Sequence, residues 1–564
     1  MIKQTWLRIS QILRKTCEGP PLVLLFQGLF ALYIACAATG ITFSRLTVLV
    51  LWAVVSIIIL TPVVFFALRW VSLRFFEVGV GVRETRAKLD WRVFAAGAVP
   101  VCAVLLLQLA GKYPGALTND TVGQWAQALT GQFNNWHPAA HTMLMWLTTR
   151  LVNSYGFFVT VQCVAFSLVA GWMTATLRAW GMHWLWSCVF VYTLLSAYST
   201  RTMMMFAWKD TMVTILALAL AVQLVNIVLS HGAWLERRGN QVGLAAALAM
   251  MTMMRHNSFF FTLPLVVLLF CLFGKGRARA CLFSGSLAAV MIFLVWGPIY
   301  TLAKVEDPQN TYIESVGLPM TILGSVYLTD PSAIDSETKA FLHTVASEDV
   351  WQKEGKFGSY ETIKWDGGGK RASVAVPQMP PQQLLRMTWN TVRRAPTVAL
   401  RAVLALTRPV WDFTDIDIYL YYYHDTAASQ ALDDKLGYAT ISKELAAAQN
   451  SRVSYYAGRL YGFYDKLVQF VTPSRALQSL GLWALALAVA AFFSLQNRHG
   501  LRTLLLVLPV FAYNMGTMLL LCFPDHRFFQ FNVVIALPLL LALMARVKPP
   551  SEKQKDQTSP TQNA

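Results

Sequence analysis

The residues best suited to chemistry begin with a carboxylate that follows a turn. Asp120 comes shortly after Tyr113-Pro114-Gly115, in a predicted short helix, and Gln124 recurs on the same helical face. A carboxylate in this setting could accept a proton from a hydroxyl group or bind a cation. Because Asp is also common at helix starts, a capping role for Asp120 is an equally good interpretation.

Basic residues flank the apolar runs on either side of this carboxylate. His137 opens a second short helix, Arg201 follows one apolar run, and Lys209 and Asp210 begin the next. A lone imidazole at His137 is either structural or, when protonated, able to reach an anionic group. Lys209 and Asp210 could neutralise one another, but ionisable residues at membrane depth are costly, which favours a functional role.

Two further cations interrupt or begin apolar stretches. Arg255 divides one hydrophobic stretch, and His526 and Arg527 precede the last one. Taken singly, each is equally well read as a snorkelling or interfacial anchor. Lys209, Arg255 and Arg527 are nevertheless all predicted to lie on one side of a membrane, near Asp120. Cations that converge at that depth suggest a site for an anionic lipid headgroup.

Composition explains why a membrane is expected. The chain has 564 residues, of which 56% are hydrophobic and 13% charged, and its mean hydropathy is +0.47. These values predict a polytopic membrane protein. The net charge of +18 is spread over short clusters between apolar runs, so no nucleic-acid partner is predicted. The eight cysteines show neither a disulfide framework nor zinc-ligand spacing.

Apolar runs predict about twelve transmembrane helices in an all-α protein. They fall at about 21–41, 46–68, 93–110, 156–178, 184–200, 211–230, 241–254, 258–273, 281–302, 477–495, 503–521 and 529–545. With both termini in the cytoplasm, the main Lys and Arg clusters between these runs all fall inside, as the positive-inside rule requires.

This topology divides the chain into five predicted parts. They are an N-terminal part with a cytoplasmic start and two spans (1–92), a membrane core with its first outer loop at 111–155 (93–302), a partly helical extracytoplasmic domain (303–476), the last spans (477–548) and a disordered cytoplasmic tail (549–564). The third part is far too long for an ordinary connection.

The order of these motifs resembles that of known enzymes. A Tyr-Pro-Gly turn with Asp120 in the first large outer loop, then His137-Pro138, then Lys209-Asp210 at the head of a middle span, and Arg527 near the last span are similar to integral-membrane glycosyltransferases of the GT-C superfamily. The branch that it resembles most is bacterial, and the similarity extends from about residue 93 to 545.

The resemblance implies roles for several residues. Asp120 would be the general base or a metal ligand, and Lys209, Arg255 and Arg527 would hold the phosphate of a polyprenyl-phosphate sugar, with His137 as a further contact. Supporting roles would fall to Tyr113, Gln124, Arg201, Asp210 and His526. Many relatives carry a pair of acidic residues in the first loop, whereas this segment has Asp120 alone, so a divalent metal is possible but not favoured.

The same resemblance implies partners and a location. The donor would be a polyprenyl-phosphate-linked sugar, the acceptor a glycan, lipid or protein, and the site would face outward from the bacterial inner membrane. Three alternatives stay open at this point. They are a transporter or flippase of lipid-linked saccharides, a glycan polymerase or ligase with a diphosphate-linked donor, and a non-catalytic assembly subunit. Transporters usually show an inverted repeat and ionisable groups at mid-span. This sequence shows no inverted repeat and few such groups, which disfavours a transporter.

Overall fold

A computed structural model describes most of the chain. The residues described are 19–43, 50–74, 79–308, 311–367, 369–412, 435–471 and 477–547. The predicted tail at 549–564 and the first eighteen residues, 1–18, lie outside this set. The described chain is all-α apart from the short strands Val80–Val82 and Ala545–Val547.

The helices of the membrane part follow the apolar runs closely, because a backbone in hydrocarbon must satisfy its own hydrogen bonds. Before residue 300 they are Pro21–Phe43, Val50–Arg74, Trp91–Gly111, Asn119–Thr130, Ala139–Thr149, Tyr155–Ala179, Trp184–Ser196, Tyr198–Met203, Lys209–Leu229, Arg238–Met254 and Phe259–Leu294. Near the C-terminus they are Leu480–Asn497, Thr503–Met518 and Phe531–Leu543.

Among the described residues, eight helical segments are long and apolar enough to cross a membrane. They are Pro21–Thr39, Trp91–Gly111, Tyr155–Ala179, Lys209–Leu229, His256–Leu302, Leu480–Asn497, Gly500–Met518 and His526–Leu543. Shorter apolar helices occur at Ile57–Ser72, Trp184–Ser196 and Gly317–Thr329. The architecture fits a polytopic membrane protein, and the count of about twelve spans stays a prediction.

One of these long segments reverses direction. Arg277 leaves helical geometry, with φ −137° and ψ 28°. The Cys281 thiol donates a hydrogen bond to the Leu269 carbonyl at 3.5 Å. In a straight helix these two residues would be about 18 Å apart. Residues 259–294 therefore form a hairpin, which agrees with separate runs predicted at 258–273 and 281–302.

Connections that the positive-inside rule assigns to the cytoplasm contact one another at one end of the protein. Val80–Val82 pairs in parallel with Ala545–Val547. The backbone N–H of Arg83 donates to the Trp180 carbonyl at 2.7 Å. The other end carries the candidate residues of the outer loops. The assignment of these ends to the cytoplasm and the exterior is tested by a labelling experiment below.

The predicted outer domain has a hydrophobic core of its own. Residues between 313 and 395 form this core, which includes Trp351, and Cys522 from the membrane part joins it. Its helices are Tyr312–Ser315, Gly317–Thr329, Ser336–Val345, Glu348–Glu354, Gly369–Gln378 and Pro381–Arg394. The helix Pro396–Trp411 then packs on Gly317–Thr329 and Leu480–Asn497.

The last part of the 303–476 range returns to the membrane core. Lys435–Gln449 packs on Asn119–Thr130, and Arg452–Val471 packs along Trp91–Gly111. The Glu444 carboxylate accepts the backbone N–H groups of Tyr155 and Gly156 at 2.9 and 3.1 Å. It therefore caps the start of a membrane helix, where a negative charge is stabilising. The 303–476 range thus contains an outer core and a segment that packs against the membrane core.

A buried ion pair attaches the returning helix. The Arg201 guanidinium is 1% exposed and lies 2.6 Å from an Asp465 carboxylate oxygen. It also donates to the Tyr461 hydroxyl at 2.8 Å and lies over the Tyr464 ring at 5.3 Å. Arg201, which the sequence suggested as a supporting site residue, therefore anchors the helix Arg452–Val471.

Side-specific labelling tests the orientation. In a background without native cysteines, we expect Glu348→Cys, on the outer core, to react with a membrane-impermeant maleimide in intact cells. Glu236→Cys, in the connection between Lys209–Leu229 and Arg238–Met254, should react only after permeabilisation. Both positions are exposed, so access to solvent is matched. The opposite labelling pattern would overturn the N-in assignment.

The ion pair between Arg201 and Asp465 leads to a prediction about stability. Asp465→Asn leaves the buried Arg201 guanidinium without its counter-charge, and we expect about 3 kcal/mol of lost stability. The measurement is the thermal unfolding midpoint of the purified protein in detergent. Asp349→Asn, on an exposed helix of the outer core, is the matched control. An unchanged midpoint for Asp465→Asn would contradict the anchoring role.

Candidate functional site

The helix that carries Asp120 is positioned by its neighbours. Thr118 is the N-cap, since its side chain accepts the Thr121 N–H at 3.3 Å and Thr121 returns the interaction. The Trp208 indole N–H donates to the Thr118 hydroxyl at 3.0 Å. Asp120 lies in the first helical turn, and the alternative in which Asp120 itself caps the helix is wrong.

The turn before this helix requires a glycine. Gly115 has φ +120°, and a Cβ there would lie 2.7 Å from the Met205 carbonyl oxygen. The next residue, Ala116, donates its N–H to that same carbonyl at 2.9 Å. This close approach joins the Asp120 loop to the segment that leads into Lys209.

Five of the predicted site residues line one cavity at the ends of the helices. Its volume is about 560 Å³. The side chains that the sequence suggested and that line it are Asp120, His137, Lys209, Arg255 and Arg527. The loops at 113–137, 206–209, 255–257 and 520–528 bring them together from distant parts of the chain.

Arg527 is held by two carboxylates. Its Nε lies 2.6 Å from Asp525, whose side chain is 1% exposed, and the other Asp525 oxygen accepts the Arg527 backbone N–H at 2.9 Å. A terminal nitrogen of the guanidinium donates to Asp120 Oδ2 at 3.2 Å. Asp525 therefore fixes the guanidinium from behind, and Asp120 contacts it within the cavity.

Arg255 is held in the same way by Asp210. The two side chains form a buried ion pair. The Arg255 guanidinium lies over the Phe528 ring at 4.0 Å, and Arg527 approaches the same ring at 4.9 Å. Asp210 thus pairs with a cation in the turn that follows the helix Arg238–Met254 and not, as one interpretation of the sequence had it, with its neighbour Lys209.

Lys209 contacts an imidazole and forms no ion pair with any described carboxylate. Its Nζ lies 2.6 Å from His137 Nδ1. The other ring nitrogen, Nε2, lies 3.7 Å from Asp120 Oδ1. His137 therefore bridges the ammonium and the carboxylate.

The charges of the loop residues follow from these contacts. Burial opposes ionisation of Asp120, but the positive charges of Arg527 and Lys209 outweigh it and hold the pKa of the carboxyl well below its usual range. Burial and the Lys209 ammonium lower the pKa of His137 to about 3. Near neutral pH the site therefore holds an ionised Asp120 and a neutral imidazole.

The remaining predicted residues do not line the cavity. Gln124 is buried and donates to the Thr142 hydroxyl at 3.0 Å, so it joins two short helices. The Tyr113 hydroxyl is 2.9 Å from the Ser154 hydroxyl. His526 is buried beside Arg527, and Arg201 anchors the returning helix. These four support the architecture around the cavity.

The structure adds residues that sequence reasoning did not single out as site residues. Trp136, Glu314, Glu361, Lys364 and Trp365 also line the cavity. Apart from Trp136 they come from the outer core. That part of the sequence lacks the apolar runs that show where a residue lies relative to the membrane surface. The one available signal was that Trp136 directly precedes His137.

Among the described residues, no three His, Cys, Asp or Glu side chains come together as a metal-ligand group. Arg527 and His137 approach the two oxygens of Asp120. No family model, curated protein or solved structure matches the chain.

Acid should destabilise this site. Because burial lowers the pKa of His137 from its ordinary value of 6.5 to about 3 in the folded protein, protonation favours unfolding below about pH 6.5. Between pH 7 and 5 this group should remove about 2 kcal/mol of stability. Burial also lowers the pKa of His141 to about 3, so it adds a loss of the same sign.

The check is the unfolding midpoint in detergent as a function of pH. His137→Asn should show a smaller decrease between pH 7 and 5 than wild type, because its share is gone. His183→Asn, exposed near Trp180 at the other end of the protein, is the control. An identical pH dependence in all three proteins would contradict the neutral, buried state of His137.

Proposed function

We propose that the chain is an integral-membrane glycosyltransferase. It moves a sugar from a polyprenyl-phosphate donor to an acceptor hydroxyl at the extracytoplasmic face of a bacterial inner membrane. The observation that supports this proposal most is that Lys209, Arg255, Arg527 and the Asp120 carboxylate line a single cavity at the helix ends. The motif resemblance to GT-C enzymes supports it independently.

The cations suit a lipid phosphate. Arg255 and Arg527 are held in fixed positions by Asp210 and Asp525, so little ordering entropy is lost when an anion binds. Lys209 contributes a charge that contacts only a neutral imidazole at close range. Such preorganised donors stabilise charge that develops on a departing phosphate.

Asp120 is the proposed general base. In the transfer, its carboxylate takes the proton of the acceptor hydroxyl, the acceptor oxygen bonds to the anomeric carbon, and the bond from that carbon to the phosphate oxygen breaks. The electron pair leaves with the lipid phosphate, which the three cations neutralise. Attack opposite to the leaving group inverts the anomeric configuration.

Donor binding prepares the base. In the unliganded site Arg527 lowers the pKa of Asp120, which makes it a weak proton acceptor. A donor phosphate competes for the same guanidinium and adds negative charge nearby. Both effects raise the pKa of Asp120, so it becomes a stronger base when the donor is in place.

Substitution of the base tests the proposal. With a purified protein and a polyprenyl-phosphate monosaccharide plus acceptor extract, Asp120→Asn should lower kcat by about 100-fold or more with donor binding retained. Lys209→Met and Arg527→Ala should weaken donor binding. Asp349→Asn, an exposed carboxylate of the outer core that does not line the cavity, is the control.

The measured quantity is released lipid phosphate. Full transfer activity of a folded Asp120→Asn protein would refute the base assignment. Donor binding without release in wild type, with acceptor extract present, would favour a transporter of lipid-linked saccharides instead.

A further inference from the structure

Two indoles form one part of the cavity wall. The Trp136 and Trp365 rings lie 6.1 Å apart between centroids, at an angle of 61°. Trp365 is 49% exposed although it belongs to the outer core. Such exposure within a cavity leaves one large apolar surface available to a ligand.

Polar contacts fix this wall in place. The Trp365 indole N–H donates to Glu361 Oε1 at 2.9 Å. Lys364 is 3% exposed and lies 2.9 Å from carboxylate oxygens of both Glu314 and Glu361, with its ammonium 4.9 Å from the centre of the Trp365 ring. The indole therefore cannot turn away without breaking its hydrogen bond to Glu361, whose carboxylate is itself paired with Lys364.

The wall is negative, in contrast to the donor side. Its charged residues that line the cavity are Asp307, Glu314 and Glu361, with Lys364 as the one described cation among them. These carboxylates would repel a second anionic group, whereas Lys209, Arg255 and Arg527 attract one. The cavity thus carries a group of cations that suits a phosphate and a group of carboxylates that suits neutral or cationic ligands.

An indole face beside a carboxylate fits one class of ligand well. The apolar C–H face of a pyranose covers an aromatic ring, and the carboxylate accepts the hydroxyl groups at its edge. A simple packing contact between the two tryptophans would instead bury both rings.

We propose that Trp136, Trp365 and Glu361 form the acceptor subsite, and that it takes a neutral or amino sugar in preference to a phosphorylated one. This inference rests on the proposed function, since it assigns the wall to the second substrate. Because Trp136 directly precedes His137, the acceptor would lie next to the donor cations and Asp120.

Binding of small sugars tests the subsite without turnover. Saturation-transfer NMR would be recorded on the full chain in detergent with methyl glucoside, glucosamine and glucose 6-phosphate as probes. We expect transfer to the first two, and about fivefold weaker binding of both in Trp365→Leu. Glu361→Gln should weaken binding of glucosamine more than that of methyl glucoside, because it removes a charge.

Matched controls separate binding from folding. Trp389→Leu changes an exposed tryptophan of the same outer core that does not line the cavity, and Glu348→Gln changes an exposed carboxylate there. Both should bind the probes as wild type does. Unchanged binding in Trp365→Leu, no binding of either uncharged or amino sugar to wild type, or a larger loss of glucose 6-phosphate binding than of methyl glucoside binding in Trp365→Leu would overturn the proposal.

These results are distinguishable from failure of the proposed function. A protein that binds methyl glucoside through Trp365 but releases no lipid phosphate keeps the subsite and loses the transferase. A protein that releases lipid phosphate equally well in wild type and Trp365→Leu, with unchanged acceptor KM, keeps the transferase and loses the subsite.

Discussion

The need to pair every buried charge governs the outer end of this protein. Arg255 and Arg527 lie where membrane helices end, and each is held by a carboxylate that is almost fully buried, Asp210 or Asp525. Loss of Asp210 would leave the Arg255 guanidinium uncompensated, which costs several kcal/mol, and loss of Asp525 would leave Arg527 with Asp120 as its remaining carboxylate. The helices that contribute these pairs are therefore locked to one another, and the cavity between them has a defined shape.

The same constraint explains why the three aspartates near the cavity have different roles. Asp210 and Asp525 are buried and hold cations, whereas Asp120 is partly exposed in the cavity and contacts Arg527 from the other side. The carboxylates of Asp210 and Asp525 are too enclosed to contact an acceptor. Of these three aspartates, only Asp120 combines contact with Arg527 and access from solution.

Much of this arrangement follows from local pattern, and the rest depends on distant contacts. Apolar runs predict the membrane helices, and the turn before Asp120 predicts a short helix, which the structure contains at Asn119–Thr130. The partner of Asp210 could not be predicted, because it is Arg255, which lies 45 residues further along the chain in the turn after the helix Arg238–Met254. Glu361 and Trp365 could not be selected either, since the outer core has no membrane periodicity to show which side chains face inward.

Helix-face reasoning also failed at one position for a clear physical reason. Gln124 shares a face with Asp120, but a helix of three turns beside another short helix buries one part of that face. The amide therefore bonds to Thr142 and not to the cavity. Similarly, the apparent outer range 303–476 returns to the membrane core after residue 434, through contacts such as that of Glu444 with the helix at Tyr155, which no local signal records.

The short loop at 133–137 has an evolutionary consequence. Phe133 and Asn135 exchange backbone hydrogen bonds with Glu306, and the next two residues, Trp136 and His137, line the cavity beside Trp365 and Lys209 respectively. An insertion or deletion in this loop would disturb both contacts together. If the subsite assignment holds, new acceptor preferences would arise by substitution at 361–365, where the outer core can diversify while the donor cations are left intact.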